Sequence, residues 1–191
     1  MRRYCSHCEY PLSTCVCDAV LPQHSPIDIV VIQHPKEQQH AKNTARLLPL
    51  ALPQAHLIAS DDSETLAEFA GQLTAGNSVL IYPSDDSRPI ESVSHETSRQ
   101  LTHLVLIDGS WRQAYAIFQQ HPWLAALPGY HFTTAPSSQY SIRHTARDDS
   151  LSTLEAVAYS LEQLFSVDTA PLIQLQNAMI KNWQGPAAHR R

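Results

Sequence analysis

The sequence predicts an α/β fold, a mostly parallel sheet with helices on both faces, and three observations carry that reading. Short apolar runs rich in β-branched residues recur along the chain. Each is followed by a stretch whose apolar residues repeat at helical spacing, and alternation of this kind builds a parallel sheet flanked by helices. With 191 residues, 43% of them hydrophobic, the chain is large enough to bury a core of that type.

The elements follow in order. All four cysteines lie at the amino end, as Cys5-x-x-Cys8 and Cys15-x-Cys17. Clustered cysteines in a chain without a secretory signal indicate a metal rather than a disulfide framework. Two close pairs joined by a short loop can supply the four thiolates, at about 2.3 Å, that tetrahedral zinc needs. Four protein ligands leave no open position, so such a zinc is structural; His7, between the first pair, is a competing ligand. Residues 1–22 are therefore expected to form a zinc knuckle and residues 23–191 the main domain, with the prolines at 22 and 26 bounding a linker.

Residues 27–33 read as a buried strand, followed by His34-Pro35 and a helix whose stripe includes Ala41, Thr44, Ala45 and Leu48. Residues 56–59 are a short strand, 64–73 a helix, and 79–82 a strand ending at Pro83. The run Leu104-Val105-Leu106-Ile107 stops at Asp108-Gly109-Ser110-Trp111 and turns directly into a helix. Ser110 and Gln113 have the spacing of a capping box, and Trp111, Ala114, Tyr115 and Phe118 form an apolar stripe. Residues 130–134 suggest another strand. A second capping box, Ser152 with Glu155, opens a helix with the stripe Leu151, Leu154, Val157, Leu161 and Leu164, and a last helix spans 171–183.

Composition excludes several classes. No apolar stretch approaches the roughly 18 residues that span a bilayer, and the first residues lack the apolar segment of a signal peptide, so the expected compartment is the cytoplasm. A net charge of −5 argues against a nonspecific polyanion binder, though not against a local basic patch. The five glycines form neither a phosphate loop nor a dinucleotide fingerprint, and no nucleophile elbow is present. The eleven histidines are scattered without metal spacing.

A polar site must then be assembled where strands give way to helices, which is where parallel sheets place functional groups. The candidates are His34 with Pro35 and Glu37, Pro83 with Ser84, Asp108 with Ser110 and Trp111, and Ser152 with Thr153 and Glu155. Each has a structural alternative: His34 a turn residue, Ser110 and Ser152 caps, Trp111 a core aromatic, and Lys36, Glu37, Arg143 and Arg147 solvated surface.

In combination these segments resemble the DTW-domain family. The matching stretches are the four cysteines, Ile32-Gln33-His34-Pro35-Lys36-Glu37 with Asn43-Thr44-Ala45-Arg46, Tyr82-Pro83-Ser84, Asp108-Gly109-Ser110-Trp111, and Leu151-Ser152-Thr153-Leu154-Glu155-Ala156. One departure is visible: Ser110 stands where the family's name-giving motif has threonine, and the hydroxyl survives. The resemblance implies a SPOUT-like fold with a C-terminal trefoil knot. It also implies transfer of the 3-amino-3-carboxypropyl group of S-adenosylmethionine to N3 of a tRNA uridine, releasing methylthioadenosine. The alternatives are a SPOUT-type RNA methyltransferase and a noncatalytic zinc-containing RNA-binding protein. On this resemblance Asp108 is catalytic, either as general base, worth on the order of 10² to 10⁴ in rate, or as an electrostatic partner of the sulfonium. Pro83, Ser84, Ser110, Trp111, Ser152, Thr153 and Glu155 are expected at S-adenosylmethionine. Lys36, Arg46, Arg143 and Arg147 are expected at tRNA phosphates. Neither a membrane nor an obligate protein partner is implied.

Overall fold

The computed structural model describes residues 3–142 and 150–184. Six strands, β1 (Asp28–Gln33), β2 (Ala55–Ala59), β3 (Ser78–Ile81), β4 (Arg88–Pro89), β5 (His103–Asp108) and β6 (Gly129–His131), form one sheet in the order β2-β1-β5-β3-β6-β4. Every pairing is parallel. Parallel central strands are covered on both faces, which explains their near-continuous apolar sequence. Side chains alternate along β1: Ile29 and Val31 join one core, Val30 and Ile32 the other. Their partners on β5 follow in register, Leu104 beside Ile29 and Val105 beside Val30.

Among the described residues there are seven α-helices: α1 (Pro35–Gln38), α2 (Leu48–Ala51), α3 (Ser63–Gln72), α4 (His95–Ser98), α5 (Trp111–Gln120), α6 (Thr153–Phe165) and α7 (Ala170–Asn182). Leu48 and Ala51 of α2, Leu154, Val157, Leu161 and Leu164 of α6, and Leu172, Leu175 and Met179 of α7 bury one face. Leu66 of α3 with Ala114 and Ile117 of α5 bury the other. The cysteine segment belongs to the first core, in which Cys8, Tyr10 and Val16 are buried.

Connection geometry creates a crevice. From β1 the chain crosses one face and adds β2 on one side; from β5 it crosses the opposite face and pairs β6 beyond β3. Neighbouring strands whose connections diverge in this way leave an opening at their carboxyl ends, where α/β folds bind ligands. Gln33 and Asp108, the last residues of β1 and β5, are register partners at that point.

Three local expectations need correction. The single helix expected after Pro35 is broken into α1, a turn, a 3₁₀ turn (Ala45–Leu47) and α2. Pro49 lacks the amide that a continuous helix requires and sits instead in the first turn of α2. The stripe expected on α5 holds at Ala114 and Phe118, which pack on the second core, but Trp111 and Tyr115 are 47% and 60% exposed and Ile117 is buried instead. The linker after Pro22 is packed, with Ser25 buried and the Gln23 amide donating to the Ala51 carbonyl at 2.7 Å. Among the described residues, no helix is long and apolar enough to cross a membrane.

Candidate active site at the carboxyl ends of β1 and β5

Asp108 is 3% exposed and is held by donors from three separate segments. Gln33 Nε2, on β1, donates to Oδ2 at 2.8 Å, and Asn43 Nδ2, from the turn after α1, donates to the same oxygen at 2.7 Å. The Thr153 hydroxyl, at the start of α6, donates to Oδ1. All three donors are neutral. No Lys, Arg or His among the described residues lies within ion-pair distance of Asp108, the only such contact being His103 with Asp28 at 3.9 Å. Among the described residues this buried carboxylate is held by neutral dipoles, with no cation beside it.

Surrounding residues fix these donors. Asn43 Oδ1 accepts the Arg46 amide at 3.1 Å, and Thr44 Oγ1 accepts the Leu154 amide at 3.3 Å, joining the turn to α6. Both capping boxes form. In one, the Ser110 amide donates to Gln113 Oε1 at 2.6 Å; in the other, the Ser152 amide donates to Glu155 Oε2 at 2.7 Å. Gln113 then reaches across to β1, with Nε2 3.3 Å from His34 Nδ1. Gly109 permits this closeness: an added Cβ would stand 3.0 Å from Gln113 Cβ and 3.6 Å from His34 Cβ.

The remaining expected residues fall into three groups. Ser84 follows β3 on the same sheet edge, its amide donating to Ser87 Oγ at 3.1 Å, and Pro83 beside it is exposed. Glu155 is buried and spends both oxygens internally, accepting from the Ser138 hydroxyl and the Gln139 amide at 2.7 Å each besides the cap. Ser152 is likewise buried and donates to Gln176 Oε1 at 2.6 Å. Among the cations, Lys36 is exposed on α1, with Glu37 half-buried beside it. Arg46 turns away from solvent: its guanidinium lies over the Tyr10 ring at 4.1 Å and donates to the Cys8 carbonyl at 3.4 Å. Arg143 and Arg147 lie outside the described residues.

The sequence assigned no site role to Gln33 and Asn43, which donate to Asp108, to Thr44, which accepts the Leu154 amide, or to Glu91. Glu91 accepts the Thr133 and Thr134 amides at 3.0 Å each and the Tyr159 hydroxyl at 2.9 Å. Burial alone would raise its pKa, but these donors outweigh it and bring Glu91 down to about 2. Glu91 and Glu155 together pin the segment that leads from β6 toward α6.

The four cysteine sulfurs lie within 4.8 Å of one another, with Cys5 to Cys17 and Cys8 to Cys15 at 3.6 Å. Tetrahedral zinc with bonds of about 2.3 Å spaces its sulfurs about 3.8 Å apart, so the cage fits that ion. The Cys8 and His7 amides and the Cys17 thiol lower Cys5 to about 6, favouring a thiolate ligand.

The model of the DTW domain matches residues 2–184. The chain belongs to the DTW-domain family. Among curated relatives, this DTW protein is 34% identical over 172 residues to tRNA-uridine aminocarboxypropyltransferase 2 of Drosophila melanogaster, covering 86% of the chain and 68% of the relative. It is 28% identical over 169 residues to the protein of that name from Macaca fascicularis, covering 85% of the chain and 57% of the relative. A third, tRNA-uridine aminocarboxypropyltransferase A of Arabidopsis thaliana, is 26% identical over 132 residues, 59% of the chain and 49% of the relative. The chain thus spans little more than half the length of the macaque protein. No solved structure matches.

Proposed function

We propose that this DTW domain transfers the 3-amino-3-carboxypropyl group of S-adenosylmethionine to N3 of a tRNA uridine. The observation that carries the reading is convergence. Gln33, Asn43, Asp108 and Thr153 come from four of the segments that mark the family and meet at one buried carboxylate. The relatives named for this activity supply the substrates.

In the reaction, N3 attacks the γ-carbon of the methionine arm, the Cγ–S bond breaks, and its electron pair stays on sulfur. Neutral methylthioadenosine departs and the N3 proton is lost. The donor enters with a sulfonium charge, and Asp108 is a buried carboxylate with no cation beside it among the described residues. Of its two expected roles, the electrostatic one is the better supported. A carboxylate that is 3% exposed, with both oxygens engaged, offers little reach to the uridine proton. Gln33, Asn43 and Thr153 hold the charge in place. Pro83, Ser84, Ser110 and Trp111 stand on the same sheet edge as candidate pocket walls, while Ser152 and Glu155 act by shaping the first turn of α6.

The same reading includes a SPOUT-like knot in the C-terminal half. Its support is that α6, which follows β6, begins beside the ends of β5 and β1, through the Thr153 contact with Asp108 and the Leu154 contact with Thr44. The cysteine knuckle of residues 1–22 holds zinc as a structural ion beside the catalytic residues 23–191, and the enzyme acts in the cytoplasm. Of the cations expected at tRNA, Lys36 is exposed on α1 and free to receive a phosphate.

The test is mass spectrometry of tRNA nucleosides after incubation with S-adenosylmethionine labelled in the methionine arm. Labelled aminocarboxypropyl-uridine with methylthioadenosine is expected. A methylated nucleoside with S-adenosylhomocysteine overturns the proposal.

A further inference from the structure

His34 carries an arrangement that its position at a turn does not require. Its Nδ1 accepts from two N–H groups, the Lys36 amide at 3.2 Å and Gln113 Nε2 at 3.3 Å. The orientation of Gln113 is fixed by its Oε1, which accepts from the Ser110 amide, so Nε2 is the end facing His34. An imidazole nitrogen that accepts cannot carry the proton. His34 is therefore the tautomer with its proton on Nε2, able to donate there and unable to act as a base. Among the described residues that Nε2 has no hydrogen-bond partner, and it is not one of the buried unpartnered atoms. It opens to solvent at the carboxyl end of β1, where the His34 amide donates to the Asp108 carbonyl at 3.0 Å.

We infer that His34 Nε2–H is a hydrogen-bond donor to a carbonyl oxygen of the target uracil, stabilising the charge that develops as N3 loses its proton. The inference rests on the proposed reaction. When N3 forms its bond to the γ-carbon, negative charge passes through O2 and O4, and the proton leaves to solvent. His34 keeps its own proton throughout. Two junctions hold the ring: the first turn of α1, which Nδ1 caps, and the capping box of α5. A donor fixed before the reaction needs no reorganisation when charge appears.

The test separates this role from capping. Asparagine is a strong helix cap whose carbonyl replaces Nδ1 as acceptor but does not extend to the position of Nε2. Single-turnover transfer is measured for wild type and His34→Asn on two transcripts of the same tRNA, one with uridine and one with 5-fluorouridine, whose N3–H is more acidic. The variant is expected to melt and bind S-adenosylmethionine as wild type does. Its rate falls about 10²-fold on the uridine tRNA, and the loss shrinks to about tenfold or less on the fluorinated one. Equal losses on both tRNAs, or a rate within about twofold of wild type, overturn the inference. If wild type forms no aminocarboxypropyl-uridine on either tRNA, the proposed reaction itself falls, and this inference with it.

Discussion

Replacing Asp108 with asparagine tests whether its charge or its basicity matters. The amide oxygen can face Gln33 and Asn43 and keep both donors, while its NH₂ meets the Thr153 hydroxyl, which rotates to accept. Three charge-assisted bonds become neutral ones, each weaker by about 1 kcal/mol, and removing an unpaired buried charge offsets part of that. Stability is therefore expected to change by no more than about 2 kcal/mol. Affinity for the sulfonium changes in a different way. At an effective dielectric of about 20 and a separation of about 6 Å, a unit anion and cation attract by about 3 kcal/mol, about a hundredfold in affinity. Methylthioadenosine shares the adenosine and the methylthio group but carries no charge. Calorimetric titration of both ligands should then show Asp108→Asn binding S-adenosylmethionine about a hundredfold more weakly and methylthioadenosine unchanged. Equal weakening of the two would mean that Asp108 only shapes the pocket. Unchanged affinity for both, with transfer reduced a thousandfold or so, would make it the base instead.

Gly109→Ala places a Cβ 3.0 Å from Gln113 Cβ, on a helix that cannot retreat, and should cost about 1 to 2 kcal/mol in urea unfolding. Protein purified under reducing conditions should hold about one zinc per chain. Cys8→Ala should bring that near zero and lower the melting temperature, because Cys8 is 4% exposed within the core that includes Tyr10 and Val16; zinc-free wild type with free thiols would sink the metal assignment. Glu91 is displaced from 4.5 to about 2, equivalent to roughly 3 kcal/mol, which solvent screening reduces to about 1 to 2 kcal/mol. The folded value lies below the unfolded one, so this stability is present above pH 4.5 and is lost as pH falls toward 2. Acid unfolding of Glu91→Gln should show a shallower pH dependence across that window, and an identical slope would remove Glu91 from the account.

The central strands and both capping boxes were legible because their signals are local: a run of β-branched residues, or a serine three positions before Gln113 or Glu155. The exposed side of α5 was not. Periodicity finds apolar residues but does not fix the edge of the stripe that meets the sheet: Ala114, Ile117 and Phe118 turn inward, while Trp111 and Tyr115 stay out. Gln33 and Asn43 were invisible for another reason. Their partner Asp108 lies 75 and 65 residues away, and a buried amide leaves no periodic trace. Arg46, expected at tRNA, shows the same limit: its contacts with Tyr10 and Cys8, which join the cysteine knuckle to the turn that presents Asn43, leave no local trace in the sequence.

Asp108 and His34 sit at register-adjacent strand ends, yet electrostatics gives them different kinetic signatures. The sulfonium is most positive before reaction, and its charge fades as the Cγ–S bond breaks. A nearby anion therefore favours the bound donor at least as much as the transition state, and its loss should fall on KM rather than kcat. Charge on uracil moves the other way, absent in the ground state and present as N3 attacks. A donor aimed at it should act on kcat and leave the KM for S-adenosylmethionine alone. The two effects concern different substrates, so Asp108→Asn and His34→Asn combined should lower kcat/KM by the product of the single losses. A shortfall from that product would mean that the Gln113 and Gly109 contacts couple the two strand ends, so that each substitution already disturbs the other's site.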